Sequence, residues 1–165
     1  MLLLAEAAIQ DFKTIREIAY KSWPNTYGSI LSKEQIDYML DLFYSEKTLL
    51  ENLNEKGHPF LLVNEGEVCL GFASYEHNYL NQNCTRLHKI YLLPEAQGKG
   101  AGKLLIEAVE NLAKENQSVL VSLNVNKFNK AISFYKKIGF QVVSDEEILL
   151  EHGYKMEDYK MEKKL

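Results

Sequence analysis

With 165 residues, 19 Lys+Arg against 23 Asp+Glu and a formal charge of −4, the chain has the composition of an ordinary globular protein. A domain of this length buries roughly 70% of the surface its unfolded chain exposes, enough for a core without metal or disulfide support, so one domain spanning 1–165 is expected. The mild acidity argues against nucleic acid as a partner, and no stretch approaches the ~20 apolar residues that cross a bilayer, which excludes an integral membrane role.

Leu2 to Glu6 reads as a short strand. The run Leu2–Ala5 is too short for a secretory core, and Cys69 and Cys84 form no close-spaced metal or redox pair, so a cytoplasmic, reducing location is expected. Asp11 is placed to cap a helix whose apolar positions Phe12, Ile15, Ile18 and Ala19 share one face and which ends near Trp23-Pro24. Ser32 with Gln35 reads as a capping box before Ile36, Met39, Leu40 and Phe43, and Ser45 starts a further helix that stops at Gly57. Phe60–Val63 and Val68–Tyr79 read as strands joined through Asn64-Glu65-Gly66, and Cys84–Leu93 extends this antiparallel meander. Leu104, Leu105, Ala108, Val109, Leu112 and Ala113 recur at helical spacing, Val119–Val125 reads as a buried strand, and Phe128, Ala131, Ile132, Tyr135 and Ile138 form another helical stripe. Strand, helix, strand implies a parallel crossover with its ligand beyond the C-terminal strand ends, where residues 94–102 lie.

There the sequence runs Gln97-Gly98-Lys99-Gly100-Ala101-Gly102 at a strand-to-helix turn. Glycine admits unusual dihedrals and close backbone approach, so successive N–H groups can meet an anion while the helix dipole adds positive potential. The nucleotide loop G-x-x-x-x-G-K-[ST] fails at Gln97 and Leu104, and G-x-G-x-x-G fails at its last position from either Gly98 or Gly100.

With Gln97, Gly100 and Gly102 in a Q/R-x-x-G-x-G/A pattern, the sequence resembles the GNAT superfamily of N-acetyltransferases. The preceding strand, Ile90-Tyr91-Leu92-Leu93-Pro94, is similar to the family's I-Y-V-x-P. Asn129, Ala131, Phe134, Tyr135, Lys137, Gly139 and Phe140 match N-x-A-x-x-F-Y-x-K-x-G-F, and Asp158–Lys163 resembles the final D-Y-x-M-x-K strand. The resemblance implies an α/β (α+β) fold: a mixed, mostly antiparallel central sheet flanked by helices, with a parallel β-α-β unit splayed at the cofactor site. It implies acetyl-CoA as cosubstrate, held by Tyr91, Leu92 and Leu93 of the strand, by Gln97, Gly98, Lys99, Gly100, Ala101, Gly102 and Lys103 of the loop and helix start, and by Asn129 and Lys137. A splayed strand leaves backbone groups in need of partners, and pantetheine amides supply them.

Acyl transfer to an amine needs a neutral nitrogen and a donor for the leaving thiolate. Tyr135 occupies the family's acid position, although periodicity alone makes it a core residue. His88 stands two residues before the Ile90-Tyr91 pair, where polyamine and N-terminal acetyltransferases often carry Glu, and is the candidate base; Glu76 and His77 are weaker ones. Trp23 and Tyr27 are candidates for the acceptor pocket, beside Asn25 and Tyr38, and Asp37, Asp41, Glu146, Glu147 and Glu151 could wall a site for a cation. The acceptor expected is a small-molecule amine or a peptide or protein amine, attacked directly because neither cysteine falls in the second signature. No metal is expected, and a homodimer is compatible with the pattern. The alternative is an acyl-CoA-binding sensor or interaction module of the same fold without turnover.

Overall fold

A computed structural model describes residues 1–165. Its strands are β1 (Leu2–Glu6), β2 (Phe60–Glu65), β3 (Val68–Glu76), β4 (Cys84–Leu92), β5 (Leu120–Asn126), β6 (Gln141–Leu149) and β7 (Lys155–Lys164); its helices are α1 (Phe12–Tyr27), α2 (Lys33–Tyr44), α3 (Glu46–Asn54), α4 (Ala101–Glu115) and α5 (Ala131–Lys137). The strands form one sheet in the order β1-β2-β3-β4-β5-β7-β6, antiparallel at every junction except the parallel β4–β5 pair. This is the mixed architecture expected. No helix is long and apolar enough to cross a membrane.

The sheet is the middle layer of three. Along β2 alternate side chains leave opposite faces, so Phe60 and Leu62 pack with Phe12, Ile15, Trp23, Leu40 and Tyr44 of the first helices, while Leu61 and Val63 pack with Leu105, Ile106 and Val109 of α4. Each such fully buried side chain stabilises the fold by about 1.5–3 kcal/mol.

Four local expectations are corrected. Asp11 does not cap α1; its Oδ2 accepts a hydrogen bond from Ala8 N at 2.8 Å and closes the short turn before the helix. Pro24 lies inside α1, which runs one turn further because Trp23 and Tyr27 pack against each other with ring centroids 4.8 Å apart; the helix loses one backbone bond at the proline and keeps the packing. Ser32 does accept from Gln35 N, but the Gln35 amide donates to the Lys155 carbonyl instead of turning back, tying α2 to β7. Phe128 is 66% exposed and precedes α5, whose first turn is capped by Asn129 Oδ1 accepting from Ala131 N at 2.8 Å.

One irregularity positions the site. β4 pairs with β5 only from Cys84 to Leu87; beyond that point Asn124–Asn126 pair with β7 alone and Lys89–Leu92 pair with β3 alone. The two central strands diverge there. The β3–β4 register also shifts, because Ser74 faces Lys89 while Tyr75 faces Leu87, so His88 is the extra residue of a β-bulge.

Candidate active site

The divergence opens a cleft of about 340 Å³ bordered by Ile90, Leu92, Gln97, Gly102, Asn129 and Tyr135. At its end the glycine loop turns into α4. Gly98 and Gly100 both have φ of +79°, a conformation that strains any residue with a Cβ. A Cβ on Gly102 would come within 3.2 Å of Leu92 and 3.9 Å of Phe134, so this position is fixed by close packing of α4 on β4 and α5. The loop closes on itself through Lys99 N donating to the Ala96 carbonyl, and Leu104 N donates to the Gly100 carbonyl. The N–H groups of Gly98, Gly100, Ala101, Gly102 and Lys103 have no protein acceptor. Five free donors, four of them successive, at the positive end of a fifteen-residue helix fit a pyrophosphate. The open edge of β4 fits an amide-bearing arm in the same way.

On the other side of β4 lies a larger cavity of about 400 Å³, bordered by Trp23, Tyr27, Tyr44, His88, Lys89 and Asp158 among others. The two spaces meet at a pocket of about 50 Å³ that touches Tyr27, His88, Tyr91, Asn129 and Tyr135. Tyr27 and Tyr91 share a hydrogen bond of 2.9 Å between their hydroxyls. The Tyr135 hydroxyl has no protein partner, and burial raises its pKa well above the ordinary phenol value, so it keeps its proton.

His88 belongs to a three-residue cluster. Its Nε2 lies 2.8 Å from Glu76 Oε1, His58 Nε2 lies 2.8 Å from the same oxygen, and the two rings stack with centroids 4.0 Å apart. An ionised carboxylate only accepts, so each Nε2 carries a hydrogen and the basic nitrogen of His88 is Nδ1. Burial lowers the His88 pKa to about 4, against the raising effect of Glu76. The imidazole is therefore neutral near pH 7. Lys89, the next residue, is also brought into the cavity by the bulge, and burial lowers its ammonium pKa to about 8. Asp158 moves the other way: burial and the nearby Glu146 raise its carboxyl to about 6, although Arg86 pulls it down.

Residues 12–140 match the family model described as Acetyltransferase (GNAT) family. The chain belongs to this family. It is 30% identical over 144 residues to a spermidine N(1)-acetyltransferase of Thermoplasma acidophilum, covering 84% of this chain and 88% of that protein. It is 29% identical over 119 residues to the peptidyl-lysine N-acetyltransferase YjaB of Escherichia coli, covering 68% and 73%. Among solved structures, the PaiA N-acetyltransferase of T. acidophilum in complex with coenzyme A superposes with a TM-score of 0.84 at 29% identity, covering 100% of this chain and 99% of that one. The ribosomal-protein-S18-alanine N-acetyltransferase of E. coli shares the fold, with a TM-score of 0.73 at 18% identity, covering 99% and 94%. This acetyltransferase uses acetyl-CoA as its acyl donor.

Of the cofactor residues named from sequence, Tyr91, Leu92, Leu93, Gln97, Gly102 and Asn129 border the cleft of the acetyltransferase, and Gly98, Gly100 and Ala101 supply free amides above it. The lysines diverge. Lys99 Nζ pairs with Glu65 at 2.8 Å, and Lys103 pairs with Glu107 at 3.7 Å; Lys103 and Lys137 share a separate groove between α4 and α5. Trp23 and Tyr27 both reach the larger cavity, whereas Tyr38 packs edge-on against His152 and tilted against Tyr154 outside it. Of the expected acidic wall, Asp37 pairs with Lys33 and Asp41 accepts from Tyr20 OH on the surface. His77 bonds Thr85. Residues the sequence reading passed over include His58, Lys89, Asn124 and Asp158, which the bulge and the β6–β7 hairpin carry to the cavity.

Proposed function

We propose that the enzyme transfers the acetyl group of acetyl-CoA to a primary amine bound in the 400 Å³ cavity, by direct attack at the small pocket between Tyr135 and His88. The observation that carries this reading is that one proton donor and one neutral imidazole border the same junction between a cleft suited to the cofactor and a cavity suited to an acceptor.

The thioester supplies an activated acyl carbon. Tyr135 holds its proton through burial, donates a hydrogen bond to the sulfur as charge develops there and protonates the leaving thiolate; the proton that His88 takes from the amine then restores the phenol through solvent, so the products are amide and thiol. His88 receives the proton of the amine at Nδ1. Its timing follows from magnitude: an ordinary alkylammonium near 10.4 and an imidazole at about 4 differ by roughly 6 units, on the order of 8 kcal/mol, too much for prior deprotonation of a bound ammonium. The amine therefore enters neutral, and His88 removes the proton once the nitrogen is bonded to the acyl carbon and has become far more acidic. Glu76 accepts from Nε2 and offsets the imidazolium charge while it lasts. Free N–H groups on the open edge of β4 are placed to polarise the thioester carbonyl. Cys69 is half-buried with its thiol pKa raised by burial and Cys84 is buried, so neither supports a covalent acyl-enzyme.

Calorimetric titration with acetyl-CoA, followed by thiol release against a panel of amines, tests the reading. Binding with release, lost on Tyr135→Phe while binding persists, is the expected result. Wild-type turnover by the Tyr135→Phe enzyme overturns the assignment of the acid, and the absence of release with every amine overturns the transfer itself.

A further inference from the structure

The protein contains six buried side-chain nitrogen or oxygen atoms that have no hydrogen-bond partner: Trp23 Nε1, Tyr44 OH, Asn52 Nδ2, Ser74 Oγ, Asn124 Oδ1 and Asp158 Oδ1. All but Ser74 belong to residues bordering the 400 Å³ cavity. An orphaned buried polar atom costs roughly 1–3 kcal/mol, so five at one cavity are compensated when the cavity is filled by something polar.

These atoms are sorted by type. Trp23 Nε1 and Asn52 Nδ2 are donors, and the Tyr44 hydroxyl can donate as well as accept. Lys89 stands with them, its Nζ 5.8 Å from the centroids of the Tyr44 and Phe60 rings, and it has neither an ion pair nor a hydrogen bond. From β5 and β7, Asn124 Oδ1 and Asp158 Oδ1 are acceptors. The Asn124 amide is committed to Glu146 Oε2 at 2.6 Å, which leaves its oxygen facing inward. Asp158 is 6% exposed and forms no ion pair within 4 Å. Asn124 borders the 50 Å³ junction pocket as well as the larger cavity, which puts an acceptor group beside the point where transfer is proposed.

We propose that the acceptor is an amine that also carries a carboxylate, an amino acid or a close derivative, with its amine directed to Asp158 and Asn124 and its carboxylate to Lys89, Tyr44, Trp23 and Asn52. This rests on the reading of the cavity as the acceptor site. A purely cationic acceptor leaves the donor end empty and places a positive chain beside an unpaired ammonium, which costs rather than contributes. A carboxylate accepts up to four hydrogen bonds and supplies the counter-charge that Lys89 lacks. The cavity volume suits a molecule of this size.

The test compares amines with and without their carboxylate: L-lysine with cadaverine, L-ornithine with putrescine, and L-phenylalanine with 2-phenylethylamine. Each is titrated calorimetrically into the protein saturated with coenzyme A, which reads acceptor recognition without turnover. The carboxylated member of at least one pair is expected to bind about tenfold or more tightly than its partner. Lys89→Met should collapse that ratio toward one, Lys89→Arg should retain it, and unchanged acetyl-CoA affinity in both variants shows that the fold survives. Equal affinities within every pair, tighter binding of the decarboxylated members, or no binding by any member overturns the proposal, as does a ratio untouched by Lys89→Met. A carboxylated amine that binds as expected but is never acetylated leaves this inference standing and removes the transfer reading instead.

Discussion

The cleft and the cavity on the two sides of β4 are built from different materials. The cleft is lined by main chain: free N–H groups of the glycine loop, an unpaired strand edge, and glycines chosen for what they lack. The cavity is lined by residues from seven separate elements, among them the bulged His88 and its neighbour Lys89, Tyr44 of α2, and Asp158 of β7. Backbone recognition binds any molecule of the right charge and shape and tolerates drift in sequence. Side-chain recognition is set residue by residue, so the same cleft can serve many acceptors.

This contrast is sharpest at the junction. Tyr135→Phe should lower kcat by about 10²- to 10⁴-fold while leaving acetyl-CoA affinity within a factor of about two, as read by steady-state kinetics beside calorimetry. A parallel loss of cofactor binding would mean that Tyr135 serves the cleft alone. For the cavity side, His88→Ala should lower kcat by about 10²-fold, and Glu76→Gln by less, since the amide still accepts from Nε2 but no longer offsets charge. Equal losses in the two variants would make Glu76 the base. On the cleft side, Gly100→Asp should weaken coenzyme A about tenfold to a hundredfold, because it strains a φ of +79° and sets a negative charge at the helix start. Unchanged affinity would remove the phosphate role of the loop.

The smallest effect concerns stability. Asp158 has a folded-state pKa of about 6, raised above its ordinary value of 3.8, so the folded chain binds the proton more tightly and stability declines as pH rises between these values. Asp158→Asn removes a buried charge. The melting temperature should therefore rise by a few degrees at about pH 8, with the gain fading by about pH 4, in thermal scans at both values. A gain that is independent of pH would point to packing rather than charge.

The two regions were also unequally legible. Glycine spacing foretells the loop because a positive φ and a close approach leave few residue types to choose from. Asn129 belongs with it, since its side chain accepts from Ala131 N only two residues on, a local bond typical of Asn at a helix start. The cavity depends on long-range register. The His58–Glu76–His88 cluster joins residues through hydrogen bonds 18 and 12 positions long and a ring contact between its two ends, by way of a bulge that has no sequence signature, and Asp158 arrives through the β6–β7 pairing. β6 itself carries no alternation of buried and exposed residues, since it is an exposed edge, so periodicity had nothing to register. Tyr135 shows why both kinds of reading are needed: it is a buried residue on an apolar stripe and also borders the small pocket between cleft and cavity.

The divergence of β4 from β5 places a raw strand edge in the middle of a seven-stranded sheet, where edges are normally absent. Such an edge at the rim invites another chain, whereas here the flanking strands and helices admit only something narrow. On the proposed reading the cofactor acts as a removable strand, and an extended molecule seated there would complete the layer between the two hydrophobic cores. Occupancy of the cleft should accordingly be felt as mechanical closure of the sheet, with amides of β4 and β5 exchanging more slowly and the whole chain unfolding at a higher temperature when coenzyme A is present.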